Sequence, residues 1–312
     1  MEKKQAKVFD EFLSKNKDKQ LVITTHRKAD IDGLASAYAL STVLPNSIIA
    51  MKDLDEGAAA LAEKLSIKTQ NLLDIERSQF DGLIVVDTAS LTLLAEAADW
   101  NVLLVIDHHH EEGRDIAAKE FIIDEDSPST AEIVASLVSV ESADVALALS
   151  AAIISDTARF KAGIADTFIL LGNLLKKAGA TYTEALVLGE PELRPDVKMA
   201  VLKAFQRVTF TYAGNLLIAT SEVGSNESDA AQLISEAADI AFVASWKNEE
   251  KETRISARAR KHVTIPLNEV MKEVGQQNGG AGGGHPKAAG ASVKIHTQEA
   301  LKACVDEVIR RI

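Results

Sequence analysis

Cysteine is nearly missing from this sequence, with Cys304 the only one, so neither an internal disulfide nor a cysteine-rich metal site can be built. A reducing cytosol fits that composition. The periodic segment TQEALKACVDEVIRRI around Cys304 predicts a small buried helix residue rather than a nucleophile. Aromatic residues make up 4% of the chain, which leaves few stacking platforms for long single-stranded nucleic acid. Long apolar runs are absent as well, Val102 to Ile106 falling far below the ~20 residues that span a bilayer, so no membrane span is expected. The first twenty residues are charged throughout and lack the apolar stretch and small-residue cleavage site of a secretory signal. A cytoplasmic location is the expectation. Basic excess is missing too: the net charge of −12 argues against wrapping long duplexes, because that affinity comes from Lys and Arg displacing counterions. Short anionic substrates stay open, since bound cations reverse the field locally.

The 312 residues are 46% hydrophobic and 26% charged, an ordinary globular balance at a length that predicts two domains. From Gln20 to Asp156, β-branched runs alternate with Ala/Leu-rich helical stretches, the pattern of a mostly parallel sheet flanked by helices. LVITTH (21–26), NSIIAM (46–51), GLIVVD (82–87), VLLVID (102–107) and FIID (121–124) read as strands. GLASAYALSTVL and EGAAALAEKLS read as helices between them. SPST offers Ser127 or Ser129 as the cap of a helix through AEIVASLVS, and DVALALSAAIISDTARF reads as a second helix. The pattern breaks between Pro191 and Pro195. We place a first domain at 1–190, a connecting helix at 191–208, and a smaller α/β domain at 209–312 that opens with a hairpin about Ala213-Gly214-Asn215.

Three runs end in potential metal ligands at the carboxyl ends of strands, where open α/β sheets bind ligands. HRKADIDG places His26, Asp30 and Asp32 at a strand-to-helix turn, and an extended loop there would point both carboxylates the same way. Imidazole with carboxylate suits Mn²⁺, Zn²⁺ or Fe²⁺. VVDTAS and VIDHHH add Asp87, Asp107, His108 and His109. A carboxylate ending an apolar strand is costly unless paired or coordinated. For each motif alone, helix capping or a solvated loop is an equal reading. Three together point to metal.

HRKADID, VVDTAS, IDHH and IISDTARF, in that order, resemble the DHH phosphoesterase superfamily, named for the triplet seen here as Asp107-His108-His109. The resemblance implies two divalent cations, usually Mn²⁺. His26, Asp30 and Asp87 would hold one; Asp32, Asp87, His108 and Asp156 would hold the other, with Asp87 bridging. It implies that His109 faces substrate, while Asp107 orients a neighbouring ligand from behind and His110 has no assigned role. Many relatives carry Pro where Ala29 stands, a change that removes no ligand. Two such cations ~3.5–4 Å apart would activate water for in-line attack on phosphorus, with His109 stabilising charge or donating a proton.

The run from Gly279 to Gly290, GGAGGGHPKAAG, reads as an anion-binding nest, its N–H groups joined by His285 and Lys287. GGGHPKAAG is similar to the signature of the DHH-associated C-terminal domain, which extends the resemblance over nearly the whole chain. That similarity implies that Gly282, Gly283, Gly284 and His285 grip a substrate phosphate or nucleotide, helped by Arg258 in ISARAR or, failing that, Arg254. The preceding NGGA would lengthen the loop. The expected function is hydrolysis of phosphoester bonds in short oligonucleotides (nanoRNA), dinucleotides or adenosine 3′,5′-bisphosphate. The alternatives are a pyrophosphate or polyphosphate hydrolase, and a nucleotide-binding regulator without turnover. Expected partners are a short oligonucleotide or small nucleotide, with no long duplex and no membrane; a homodimer is compatible with the sequence.

Overall fold

The computed structural model describes residues 3–110, 113–160, 163–189 and 194–312. The chain packs as two units, Met1–Glu192 and Leu193–Ile312. The break expected near Pro191 falls on residues 190–193, outside the described residues.

In chain order, the first unit contains α1 (Lys3–Asn16), β1 (Leu21–Thr24), α2 (Ile31–Ser41), β2 (Ser47–Met51), α3 (Glu56–Lys64), β3 (Gln70–Asn71), β4 (Gly82–Val86), β5 (Val102–Asp107), β6 (Ala118–Ile123), α4 (Thr130–Leu137), α5 (Ala143–Asp156), α6 (Ala165–Ala178) and α7 (Tyr182–Gly189). Its main sheet runs β3-β2-β1-β4-β5-β6, parallel throughout. Leu21 and Ile23 join the core that α2, α4 and α5 cover. Val22, Leu83 and Val85 enter a second core on the opposite face with Leu94 and Ile116. Burial on both faces is why these strands read as unbroken apolar runs. The chain reverses its direction of travel across the sheet between β1 and β4, the switch point at which doubly wound sheets open a crevice for ligands.

The second unit contains α8 (Pro195–Arg207), β7 (Thr209–Ala213), β8 (Leu216–Glu222), α9 (Glu227–Ile234), β9 (Ile240–Lys247), β10 (Glu252–Ala259), α10 (Leu267–Gln277), β11 (Ala281–His285), β12 (Ala288–Val293) and α11 (Thr297–Ile309). Its sheet runs β11-β12-β10-β9-β8-β7, antiparallel except for the β8–β9 pair. α8 and α9 pack with Ala219, Ala241 and Val243 on one face, while α10 and α11 cover the other with Phe242 and Ile255. Cys304 is fully buried in α11, and burial pushes its thiol up, so it is structural.

Two local readings change. The helix expected through Phe160 stops at Asp156: Thr157 turns its hydroxyl back onto the Ile153 carbonyl at 2.6 Å, and Ala158, Arg159 and Phe160 all take left-handed backbone angles. The glycine run is a strand rather than a loop. Residues 281–285 pair antiparallel with β12 as the sheet's edge, and the residues before them lead into that strand rather than lengthening a loop. The physical reason is close packing. A Cβ on Gly282 would lie 1.9 Å from the Met271 carbonyl oxygen of α10, one on Gly280 would lie 1.8 Å from the Ser292 carbonyl oxygen, and a Cβ on Gly283 would meet nothing within 4 Å.

Candidate metal centre

β1 ends at Thr24, two residues before His26 rather than on it. The backbone then passes into α2, whose N-cap is Asp30, its Oδ1 accepting the Gly33 N–H at 3.0 Å. Asp32 therefore sits in the first helical turn, not in an extended loop, and the two carboxylates serve different clusters. Capping and ligation coexist at Asp30, whose Oδ2 lies 3.6 Å from His26 Nε2. Gly33 permits the approach, because a Cβ there would fall 2.4 Å from Thr25 Oγ1.

Asp87 directly follows β4, is 2% exposed, and has φ +62°. A left-handed non-glycine residue is uncommon, with Asp among the better tolerated, and such angles cluster at functional sites. Asp87 Oδ2 lies 3.5 Å from His26 Nε2, while Oδ1 lies 3.6 Å from His108 Nε2. One carboxylate thus offers an oxygen to each of two clusters. Donor atoms of His26, Asp30 and Asp87 converge within 4.8 Å of one another, as do those of Asp32, His108 and Asp156, and of Asp87, His108 and His109. His108 Nε2 stands 3.3 Å from Asp156 Oδ2, its Nδ1 facing the Ser127 carbonyl at 3.2 Å.

Asp32 is held by the start of α4: Oδ2 accepts the Thr130 N–H and Oδ1 the Ala131 N–H, each at 2.8 Å, where the helix end favours negative charge. Thr130 Oγ1 also donates to Asp87 Oδ1 at 2.9 Å. Sequence reasoning missed Thr130. Its neighbour Ser129, one of the two caps expected, is the N-cap of α4, and nothing in SPST separates a cap from a clamp. Asp107 is 1% exposed and accepts from His109 Nδ1 at 2.7 Å and from the His108 and His109 N–H groups. It orients the His109 ring, leaving Nε2 as that ring's other nitrogen. His110 turns to Glu125 instead, at 3.2 Å, and Arg114 binds both Glu125 and the His109 carbonyl.

The charges demand a counterion. Burial, then the charges of Asp87, Asp156 and Asp30, push the Asp32 carboxyl well above the ordinary carboxylate range. Burial and the charge of Asp87 likewise lift Asp156, to about 7. Burial alone would lower His26, but hydrogen bonds to Asp30 and Asp87 outweigh it and raise the imidazole to about 10. Burial depresses His108, which favours the neutral ring that coordinates metals. Nitrogen and oxygen donors, a shared carboxylate, and acids too crowded to ionise together fit a pair of divalent cations.

In the second unit, a shallow, open surface groove is lined by Ser228, Arg254, Ser256, Gly282 and Gly290, among others. Gly283 pairs with Gly290, Gly290 with Ser256, and Ala288 with Arg258, so Gly283 and Arg258 share the sheet face that bears Ser256. Arg258 donates to Ser228 Oγ at 2.7 Å, Gln232 Oε1 at 3.2 Å and Ser256 Oγ at 3.2 Å, all neutral groups. Arg254 faces Glu250 and Glu252. His285 is exposed at the end of β11. Lys287, expected to join the anion site, instead gives its ammonium to the Val263 carbonyl.

Family models match both halves: the DHH family N-terminal domain at residues 20–159 and the DHHA1 domain at 214–312. The chain is 31% identical to the uncharacterized protein MJ0988 of Methanocaldococcus jannaschii, over 96% of this chain and 94% of that one. Its fold is similar to that of an exopolyphosphatase-related protein from Bacteroides fragilis, with TM-score 0.76, 16% identity, and coverage of 99% and 96% of the two chains. It also resembles exonuclease RecJ bound to manganese, with TM-score 0.55, 13% identity, and coverage of 99% and 94%. With its crowded Asp and His clusters at the switch point of a doubly wound sheet, the chain belongs to the DHH family of metal-dependent phosphoesterases and carries a DHHA1 domain after the DHH domain.

Proposed function

We propose that this chain hydrolyses phosphoester bonds in short oligonucleotides, dinucleotides or a small nucleotide such as adenosine 3′,5′-bisphosphate. In this reading it uses two Mn²⁺ ions, one at His26, Asp30 and Asp87 and the other at Asp32, Asp87, His108 and Asp156. The observation that carries the reading is Asp87, which turns one oxygen toward each cluster. Divalent cations at these donors would supply Lewis acidity toward the phosphoryl oxygens.

The protein's own groups do the rest. Thr130 and the start of α4 fix Asp87 and Asp32. Asp107 accepts from His109 Nδ1, and that hydrogen bond raises the imidazole above its ordinary value, which favours the doubly protonated ring. His109 Nε2 is then the atom that hydrogen-bonds the phosphoryl group or protonates the leaving oxygen. In the DHHA1 domain, Arg258, Gly282, Gly283, Gly284 and His285 would bind a substrate phosphate. Arg258 suits that task because its fork is pre-oriented by neutral partners rather than by a carboxylate. The RecJ likeness adds a fold in which manganese and an exonuclease activity occur together.

The test is a substrate panel with Mn²⁺: short RNA and DNA oligonucleotides, linear and cyclic dinucleotides, adenosine bisphosphate, pyrophosphate and polyphosphate. Turnover of dinucleotides or adenosine bisphosphate, abolished in Asp87→Ala, is expected. Turnover confined to pyrophosphate or polyphosphate would replace the nucleotide reading, and tight nucleotide binding without turnover would make the chain a regulator.

A further inference from the structure

Among the described residues, no strand pairs with the outer edge of the second unit's sheet. β7 is its outermost strand and reads Thr209-Phe210-Thr211-Tyr212-Ala213. It lacks the charges and prolines that keep edge strands apart. Gly214, at φ +59°, opens a two-residue turn that sets Ala213 opposite Leu216. In such a hairpin the closing pair exchanges both hydrogen bonds and the pattern alternates along the strand. Thr211 and Thr209 therefore bond inward to β8, while the N–H and C=O groups of Phe210 and Tyr212 face outward.

The side chains agree with the backbone. Phe210 lies opposite Ala219 and Tyr212 opposite Leu217, residues that pack with α8. Both rings thus stand on the α8 side of the sheet, 70% and 68% exposed. α8 buries Val197, Val201 and Ala204 and leaves Leu202 and Phe205 exposed on that same side.

We infer that β7 pairs antiparallel with β7 of a second copy of this chain, about a twofold axis at Thr211. The strand is complementary to itself in that register. Phe210 falls opposite Tyr212 of the second copy and Tyr212 opposite its Phe210, so the residues with outward backbone groups meet as hydrogen-bonded pairs and two aromatic cross-strand contacts form on one face. Both α8 helices then lie on the same side of a continuous sheet. Phe210, Tyr212, Leu202 and Phe205 offer roughly 500 Å² per copy, and burying both sets removes about 1,000 Å², the size a specific interface has to reach. No acidic side chain interrupts the five residues of β7, which matters for two chains that each carry a charge of −12.

Thr211→Cys tests the register. In this pairing the two residues at position 211 form a non-hydrogen-bonded pair with Cα atoms about 4.5 Å apart, within disulfide range, and buried Cys304 does not compete. Mild oxidation of the full chain should double the mass of T211C covalently, while Thr209→Cys, whose opposite is Ala213 of the second copy, should stay single. In light scattering the wild type should run at twice 33.5 kDa. Phe210→Lys combined with Tyr212→Lys should run at 33.5 kDa and keep its far-UV circular dichroism, while its unfolding temperature, unlike that of the wild type, should not rise with protein concentration. A wild type of single mass, a double variant that stays doubled, or T209C cross-linking as readily as T211C would overturn the pairing. So would assemblies that grow past two copies with concentration.

Discussion

Gly282 and Gly283 are neighbours with the same side chain, yet replacing each by alanine should act through different physics. At Gly282 the added methyl would sit 1.9 Å from the Met271 carbonyl oxygen, well inside van der Waals contact, and both partners are backbone. α10 must move off β11, an overpacking cost of about 3 kcal/mol. For a unit of this size that cost lowers the unfolding temperature by roughly 10 °C. At Gly283 the methyl meets nothing within 4 Å and no left-handed angle is disturbed. Stability should therefore stay the same or rise by about 0.5 kcal/mol, through the smaller entropy of the unfolded chain. If the open side of Gly283 receives a substrate phosphate, the methyl intrudes there instead, and KM for a dinucleotide should rise about tenfold with little change in kcat. Thermal unfolding followed by steady-state kinetics reads both effects. An unchanged melting temperature in Gly282→Ala would refute the packing argument. A Gly283→Ala protein with unaltered KM would remove Gly283 from the substrate site.

Three further outcomes follow from the metal centre. Thr130→Val keeps the shape and the backbone N–H but deletes the hydroxyl on Asp87; Mn²⁺ affinity by calorimetry should fall about tenfold, and Thr130→Ser should restore it. His26 is raised to about 10 by its carboxylate partners and must shed its proton to coordinate. Mn²⁺ affinity should therefore climb about tenfold or more per pH unit between pH 6.5 and 8.5, more steeply near pH 7 where Asp156 also gives up a proton, and an affinity flat across that window would contradict the assignment of His26. Asp107→Asn should leave Mn²⁺ binding intact while lowering kcat about tenfold or more, because His109 loses the acceptor that orients it; equal losses in both would mean that Asp107 supports the ligands instead.

What the sequence disclosed was whatever depends on local pattern. The parallel strands were legible because burial on both faces leaves runs such as VLLVI without a polar residue, and SPST announced the start of α4 without deciding between Ser127 and Ser129 as its cap. Long-range partnership was not legible. The bond between Asp32 and the start of α4 joins residues far apart in the chain, and Thr130 differs from any helix-start threonine only by what faces it. The glycine run was ambiguous in a different way: glycine permits both a loop nest and a strand beneath a close helix, and only the position of Gly275 and Met271 on α10 decides between them. Lys287 was misread for the same reason, since its acceptor, the Val263 carbonyl, lies in a separate segment.

The clamp on Asp32 also sets an order in time. A chain emerging from the ribosome has made His26, Asp30 and Asp87, every member of the first cluster, before any residue of α4 exists. Asp32 is synthesised early too, but its two N–H donors belong to Thr130 and Ala131, and its companion Asp156 follows later still. One half of the centre is thus synthesised first, its Asp87 still without the Thr130 hydroxyl that fixes it, while the other half waits for α4 and α5. Since domains fold as units, the docking of α4 on the sheet and the completion of both halves of the centre are one event.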